Sequence, residues 1–157
     1  MPRRPTHDPS YAAVGAAGAS RAMSSTGLQA WTHAALRIVS GFLFFQHGYP
    51  KLFGTLPGSA ELEVPRELLT IFWWSGFLEV VGGFLIMIGL FTRPVAFIVA
   101  GEMAVAYFWR HAPRDFWPGS NGGELAALYC FVFLFLAAAG GGVRSLDAML
   151  GRRGERP

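Results

Sequence analysis

The sequence is short of cysteine and of charge. A single cysteine, Cys130, stands in 157 residues. That excludes a disulfide framework and a thiolate metal cluster within one chain. Charged residues make up 15%, against about 25% in soluble domains. No phosphate-cradling glycine loop, nucleophile elbow or paired metal motif is present. The formal net charge of +3 lies mostly at the two ends, a pattern that predicts no nucleic-acid partner. What is abundant is apolar surface. Hydrophobic residues reach 52%, with 14 Phe and 5 Trp. A soluble globule of this length has too little interior to bury so much. Disorder of the whole chain is excluded as well, because disorder needs low hydrophobicity.

The spacing of charges sets the fold class. Nineteen uncharged residues, Leu125 to Val143, separate Glu124 from Arg144. At about 1.5 Å per residue they form a rod of ~28 Å, near the hydrocarbon thickness of a bilayer. Glu79 is the one charge in the 25 residues between Glu67 and Arg93. Glu102 is the one charge in the 16 residues between Arg93 and Arg110. Arg37 is the one charge in the 29 residues between Arg21 and Lys51. These segments are apolar all round, which a soluble bundle does not tolerate. The expectation is an all-α fold, a four-helix transmembrane bundle with spans near 31–49, 70–91, 94–110 and 124–142. The domain it forms covers 28–150. Residues 1–27, rich in Pro, Ala, Ser and Gly, are expected to be a disordered segment. Its apolar piece, Ala12 to Ala19, is short and broken by Gly15 and Gly18, so it is not read as a signal peptide. Residues 151–157 form a short basic tail suited to anionic lipid.

Lysine and arginine set the orientation. With four spans, Arg3, Arg4, Arg21, Arg93, Arg144, Arg152, Arg153 and Arg156 share one side, and Lys51, Arg66, Arg110 and Arg114 the other. Both termini are therefore expected in the cytoplasm. Trp73, Trp74, Trp109 and Trp117 fall near the opposite boundary, as an aromatic belt requires.

Three ionisable residues lie at depth, where an unpaired charge costs on the order of 2.5–3.5 kcal/mol and must face the bundle. Arg37, Glu79 and Glu102 form the candidate buried polar cluster. Arg37 is expected to pair with one glutamate, and Glu79 is favoured because Gly76, Gly82 and Gly83 bring helices close around it. The other glutamate is either protonated or reaches toward His47 or Lys51. Arg37, Gly41, Phe44 and Gly48 share one helical stripe, and Gly76, Glu79, Val80, Gly83 and Met87 another. For the glycines, helix packing is the leading reading. A structural pairing of the charges stands beside a chemical one.

Near the outer boundary lie His47, Lys51, His111, Asn121 and Glu124, the candidate ligand-binding residues. Each has a plainer role available. Lys51 can snorkel to lipid phosphate, Asn121 can cap a helix, and Glu124 can sit on the positive end of the last helix dipole. Gly48, Pro50 and Gly54 are expected to interrupt the first helix. His47 and His111 have no spacing that demands a metal, and none is expected. Cys130 reads as a small buried apolar residue.

The order of these residues resembles the DoxX family of small bacterial inner-membrane proteins. The first helix carries Arg37, Gly41, His47-Gly48 and Lys51-Leu52-Phe53-Gly54. The second carries Gly76, Glu79 and Gly82-Gly83, then Gly89-Leu90-Phe91-Thr92-Arg93-Pro94. Glu102-Met103, Ala106-Tyr107-Phe108, Asn121-Gly122-Gly123-Glu124, Ala127-Leu128-Tyr129 and Ser145-Leu146-Asp147 follow. The resemblance covers about residues 31 to 148. It implies a four-helix membrane bundle in the bacterial plasma membrane. Related proteins include a membrane subunit of an archaeal thiosulfate:quinone oxidoreductase and a membrane partner of detoxification enzymes in an oxidative-stress assembly.

Three functions follow as expectations. The first is a component of a quinone-linked redox system, with quinone as the cofactor. Phe44, Phe45, Phe72, Trp73 and Phe108 would wall it, Glu79 or Glu102 would relay protons, and His47 or Lys51 would donate hydrogen bonds. The second is a non-catalytic scaffold for a soluble partner enzyme. The third is a small proton-coupled permease working as a dimer. The lipid bilayer is a partner in all three. A homo-oligomer and a soluble redox enzyme are the protein partners considered.

Overall fold

The computed structural model describes the backbone over residues 9–54 and 68–154, and side chains over 27–54 and 68–151. Secondary structure among the described residues is entirely helical. Helix α1 is Pro9–Phe53, α2 Ile71–Ile88 and α3 Thr92–Ala106, which runs on into a π-helical turn at Tyr107–His111. A short α4, Pro118–Asn121, leads to α5, Glu124–Ala139, and α6 is Leu146–Gly154. The main packing pairs are α1 on α2 and α3 on α5.

Two glycine pairs set the first contact. A Cβ on Gly41 would lie 2.8 Å from the Gly83 carbonyl oxygen, and one on Gly83 2.7 Å from the Gly41 carbonyl oxygen. Two turns along, a Cβ on Gly48 would meet the Gly76 carbonyl oxygen at 2.8 Å. The helices therefore run antiparallel with their backbones in contact. Phe44 fits between these pairs and packs on Phe133 of α5, with ring centroids 4.7 Å apart. Phe44, Ile86, Val99, Met103, Phe133 and Leu136 form the centre of the apolar core.

The helix ends are closed by charged side chains from other helices. Arg37 donates from Nη1 to the carbonyls of Ile86 (2.7 Å) and Met87 (2.6 Å), and from Nη2 to that of Arg144 (2.8 Å). It thus satisfies acceptors that the end of α2 leaves free. Arg93 donates to the Ala138 carbonyl at 2.6 Å, at the end of α5. Asp147 accepts from Phe91 N at 2.7 Å and Thr92 N at 2.9 Å, at the start of α3. This clamp holds Phe91 in the left-handed region, φ 50°, a conformation that costs a non-glycine residue about 1–2 kcal/mol. Ser145 starts α6 by accepting from Ala148 N at 3.2 Å while donating to the Gly142 carbonyl at 2.6 Å.

The expected pairing of Arg37 with Glu79 or Glu102 is corrected here. Among the described residues Arg37 bonds only carbonyls. A guanidinium has five donors in a fixed fork, and a cluster of free helix-end carbonyls fits it better than a single carboxylate. Three further expectations differ. The backbone is helical from Pro9, within the segment expected to be disordered, where alanine is frequent and favours helix; residues 1–8 lie outside the described residues. Pro50 is accommodated within α1, which ends instead at Gly54, φ 90°. The tail expected over 151–157 is helical through Gly154, and 155–157 lie outside the described residues.

Exposure is inverted relative to a water-soluble fold. Phe97 is 66% and Phe131 73% exposed, whereas Arg37 is 2% and Glu79 0% exposed. By length and composition one described helix, Ile71–Ile88, is long and apolar enough to cross a membrane. Glu124–Ala139 is apolar but shorter. The other two expected spans coincide with the latter part of α1 and with α3 plus its π turn.

The glycine contact is testable. Gly83→Ala would drive a methyl into backbone atoms at 2.7 Å, an overpacking worth about 1–3 kcal/mol. Gly101 has open space around it, so Gly101→Ala is expected to gain up to about 1 kcal/mol of helix propensity. Thermal unfolding in detergent should separate the two variants in opposite directions. Equal shifts would contradict a backbone contact at Gly83.

Candidate functional site

The second glycine pair positions the site. A Cβ on Gly48 would fall 2.6 Å from the Glu79 Cβ, and one on Gly76 2.7 Å from the Lys51 Cβ. Glycine at both positions lets α1 and α2 bring Lys51 and Glu79 face to face. Lys51 Nζ lies 2.7 Å from Glu79 Oε1 and donates to Ser75 Oγ at 3.0 Å. Ser75 Oγ is 3.4 Å from the same carboxylate oxygen. His47 Nε2 stands 3.9 Å from it, beyond hydrogen-bonding distance, with its side chain half exposed. Glu79 is wholly buried, and its Oε2 makes no hydrogen bond. A buried carboxyl group needs a close polar partner, and Lys51 is that partner.

These residues line one side of a cavity of about 460 Å³. Across it, α3 contributes Glu102 and Met103, and α5 contributes Ala126 and Tyr129. Both Glu102 oxygens are shut off from solvent, and neither makes a hydrogen bond. Toward the mouth stand Phe72, Trp109, Arg110 and His111. The Arg110 guanidinium lies 5.9 Å from the Phe72 ring centroid, within cation–π range. The π-helical turn Tyr107–His111 rotates the register of the end of α3, a feature frequent at functional sites. Trp109, Arg110 and His111 line the cavity there. The ring of His111 is set by its Nδ1, 3.2 Å from the Asn121 carbonyl oxygen.

The residues singled out from sequence therefore divide. Glu79, Glu102, His47, Lys51 and His111 line one cavity, and Arg37 does not. Asn121 is buried but turned into its own loop. Its Nδ2 donates to the Asp115 carbonyl at 2.9 Å and its Oδ1 accepts from Gly123 N at 2.7 Å. Glu124 is exposed in the first turn of α5 and does not line the cavity. Of the five aromatic residues expected as walls, Phe72 alone is at the cavity. Phe44 is in the core, and Phe45, Trp73 and Phe108 are directed elsewhere. Cys130 is half-buried against the core. Sequence reasoning missed Ser75, Trp109, Arg110 and Tyr129 as lining residues. Ser75 carried a signal, since it stands one helical turn before Glu79.

The two buried cations are expected to answer differently to mutation. Lys51→Met strands a buried carboxylate, a loss of about 3–5 kcal/mol, and adding Glu79→Gln should restore much of it. Arg37→Ala strands three carbonyls at about 1–3 kcal/mol each, and neither Glu79→Gln nor Glu102→Gln should restore it. Melting in detergent reads both pairs. Recovery of Arg37→Ala by a glutamate substitution would contradict the carbonyl assignment.

Comparison with known proteins finds one family. The DoxX family model matches residues 32–112. That segment holds Arg37, His47, Lys51, Glu79, Glu102 and His111. An uncharacterized protein of Haemophilus influenzae is 40% identical over 121 residues, which is 73% of this chain and 87% of that protein. No solved structure matches the chain. The chain belongs to the DoxX family, and with it to the membrane.

Proposed function

We propose that the chain is a four-span bundle of the bacterial inner membrane whose cavity binds the headgroup of a membrane quinone, as one component of a quinone-linked redox system. The observation that carries this reading is the cavity of about 460 Å³ with two buried acids and a lysine at its inner end and aromatic rings at its mouth. That volume falls in the range of about 300–1,000 Å³ usual for small-molecule sites. The outward-facing Phe42, Phe77, Phe84, Phe97, Phe131 and Phe135 support a lipid-facing exterior. The lysine and arginine distribution supports cytoplasmic termini.

The residues present fit a quinone headgroup. Lys51, Trp109, Arg110 and Tyr129 line the cavity and carry donors for the carbonyls of such a ring. A quinone, when bound, carries two electrons and two protons between the membrane pool and a partner. Lys51 pairs with Glu79 and presents a remaining N–H to the ring. Glu102, free of any cation partner among the described residues, holds or releases a proton at Oε1 or Oε2. Met103, Phe72 and Tyr129 exclude water from the ring.

Two measurements test this reading. A cysteine at Ser120 should be labelled by an impermeant thiol reagent in intact cells, and one at Ser24 should not; the reverse pattern contradicts the orientation. Protein purified in mild detergent should carry quinone detectable by mass spectrometry. Ala106→Trp fills the cavity beside Glu102 and should leave melting within a few degrees of wild type while removing the bound quinone. Unchanged quinone content in that variant would mean the ligand sits elsewhere.

A further inference from the structure

We infer that His111 Nε2 is the atom through which the cavity exchanges a proton with its ligand, and that Asn121 is the residue that positions it. The identity of the ligand rests on the quinone reading above; the state of the imidazole does not.

A group that exchanges a proton with a ligand must have its titrating atom within the ligand's reach. The two acids do not meet that condition. Glu79 Oε2 and both Glu102 oxygens are shut off from the surface, so a proton held there needs another group to carry it out. Lys51 is engaged with Glu79 Oε1 at 2.7 Å and with Ser75 Oγ at 3.0 Å. The indole, guanidinium and phenol of Trp109, Arg110 and Tyr129 are donors with fixed protons near neutral pH. The two histidines at the cavity remain, and histidine is the side chain suited to proton exchange.

The two are held differently. His47 Nε2 stands 3.9 Å from Glu79 Oε1, and among the described residues no hydrogen bond fixes its ring. His111 Nδ1 lies 3.2 Å from the Asn121 carbonyl oxygen. A carbonyl only accepts, so Nδ1 carries the hydrogen. In the neutral ring the lone pair is then on Nε2. That nitrogen makes no hydrogen bond among the described residues, and it is not one of the atoms shut off from the surface. His111 takes up a proton at Nε2 as the O–H bond of a ring hydroxyl breaks and the N–H bond forms, the electron pair staying on the oxygen. The charged ring keeps its Nδ1–H bond to the carbonyl, so nothing need rearrange. His111 is half-buried at the mouth of the cavity, where the proton can pass on to water.

Asn121 holds the carbonyl where His111 needs it. Its Nδ2 donates to the Asp115 carbonyl at 2.9 Å, and its Oδ1 accepts from Gly123 N at 2.7 Å. Those bonds press the turn onto the end of α3. A Cβ on Gly123 would lie 2.8 Å from both His111 Cβ and Tyr107 Cδ2. The turn and the imidazole therefore form one packed unit.

Nitrogen-15 NMR of the histidines in the full-length protein in detergent tests both parts. Loss of signals in His111→Gln assigns the ring. In the ligand-free protein, at a pH where the ring is neutral, Nδ1 is expected to be protonated and Nε2 bare, the reverse of the tautomer that free histidine favours. Asn121→Ala should move His111 toward that other tautomer. Asn121→Asp keeps the acceptor for Gly123 N and loses the donor to Asp115, so it is the milder variant and should move it less. Anaerobic addition of a ubiquinol with one isoprenoid unit should shift the Nε2 signal toward its protonated position. His111→Phe should weaken ubiquinol binding in equilibrium dialysis by about five- to tenfold, the worth of one hydrogen bond. A protonated Nε2 in the neutral ligand-free ring would overturn the inference. An unchanged tautomer in whichever Asn121 variants fold would overturn the role of Asn121. Ubiquinol bound with the His111 signals unmoved would overturn proton exchange at Nε2 and leave the quinone reading intact. Failure of ubiquinol to bind would overturn the quinone reading, while the expected tautomer would still uphold the hold of Asn121 on His111.

Discussion

The backbone contact between α1 and α2 is the constraint on which the remaining structure depends. At Gly41 with Gly83, and again at Gly48 with Gly76, there is no room for a side chain. Dispersion and interhelical polar contacts drive helix association where the surroundings are as apolar as the side chains, and both need close approach. The same contact that packs the helices also sets the chemistry. Lys51 reaches Glu79 at 2.7 Å because Gly76 leaves space beneath the lysine stem and Gly48 leaves space beside the glutamate. Shifting either helix outward by one methyl would lengthen that ion pair and strand Glu79, which has no exposure to water.

A second constraint acts at the opposite end of α2. Helix ends expose carbonyl and amide groups that must be satisfied, and in an apolar surround water does not do it. Arg37, Arg93 and Asp147 each close the end of a different helix from a distance in sequence. Together they tie α1, α2, α3, α5 and the start of α6 into one knot. The charged residues of this chain therefore have two separate duties. Those near Gly89 and Ser145 hold backbone ends, and those near Gly48 and Gly76 surround a cavity. Glu102 belongs to the second group and is not committed to a hydrogen bond.

Much of this was legible from residue spacing. The glycine stripes were visible as i, i+3, i+4 and i+7 patterns, and helix packing was the favoured reading of them. The reach of a central glutamate toward His47 or Lys51 was considered, though for the glutamate left over once Arg37 had taken its partner. The partner of Arg37 was not legible, because free carbonyls have no sequence signature and exist only once a helix end is built. Asn121 looked like a ligand for its position, yet its short amide serves an intraloop turn. The wall residues were misjudged because Phe44, Phe45, Trp73 and Phe108 lie off the cavity faces of their helices. At 3.6 residues per turn Trp109 and Arg110 follow Glu102, Met103 and Ala106 along one face of α3, so both were legible as lining residues.

Family membership and the inverted exposure point to the membrane, and the proposal adds that the cavity holds an amphiphilic ring beside two acids. The most direct test is photo-crosslinking of the native protein in its own membranes with an azido-quinone, followed by mapping of the labelled peptides. The account predicts label on α2 near Phe72 and Ser75 and on α3 between Glu102 and Trp109, lost on competition with unmodified quinone. Label confined to the outward phenylalanines of α1 and α5, such as Phe42 and Phe131, and insensitive to competition, would contradict it.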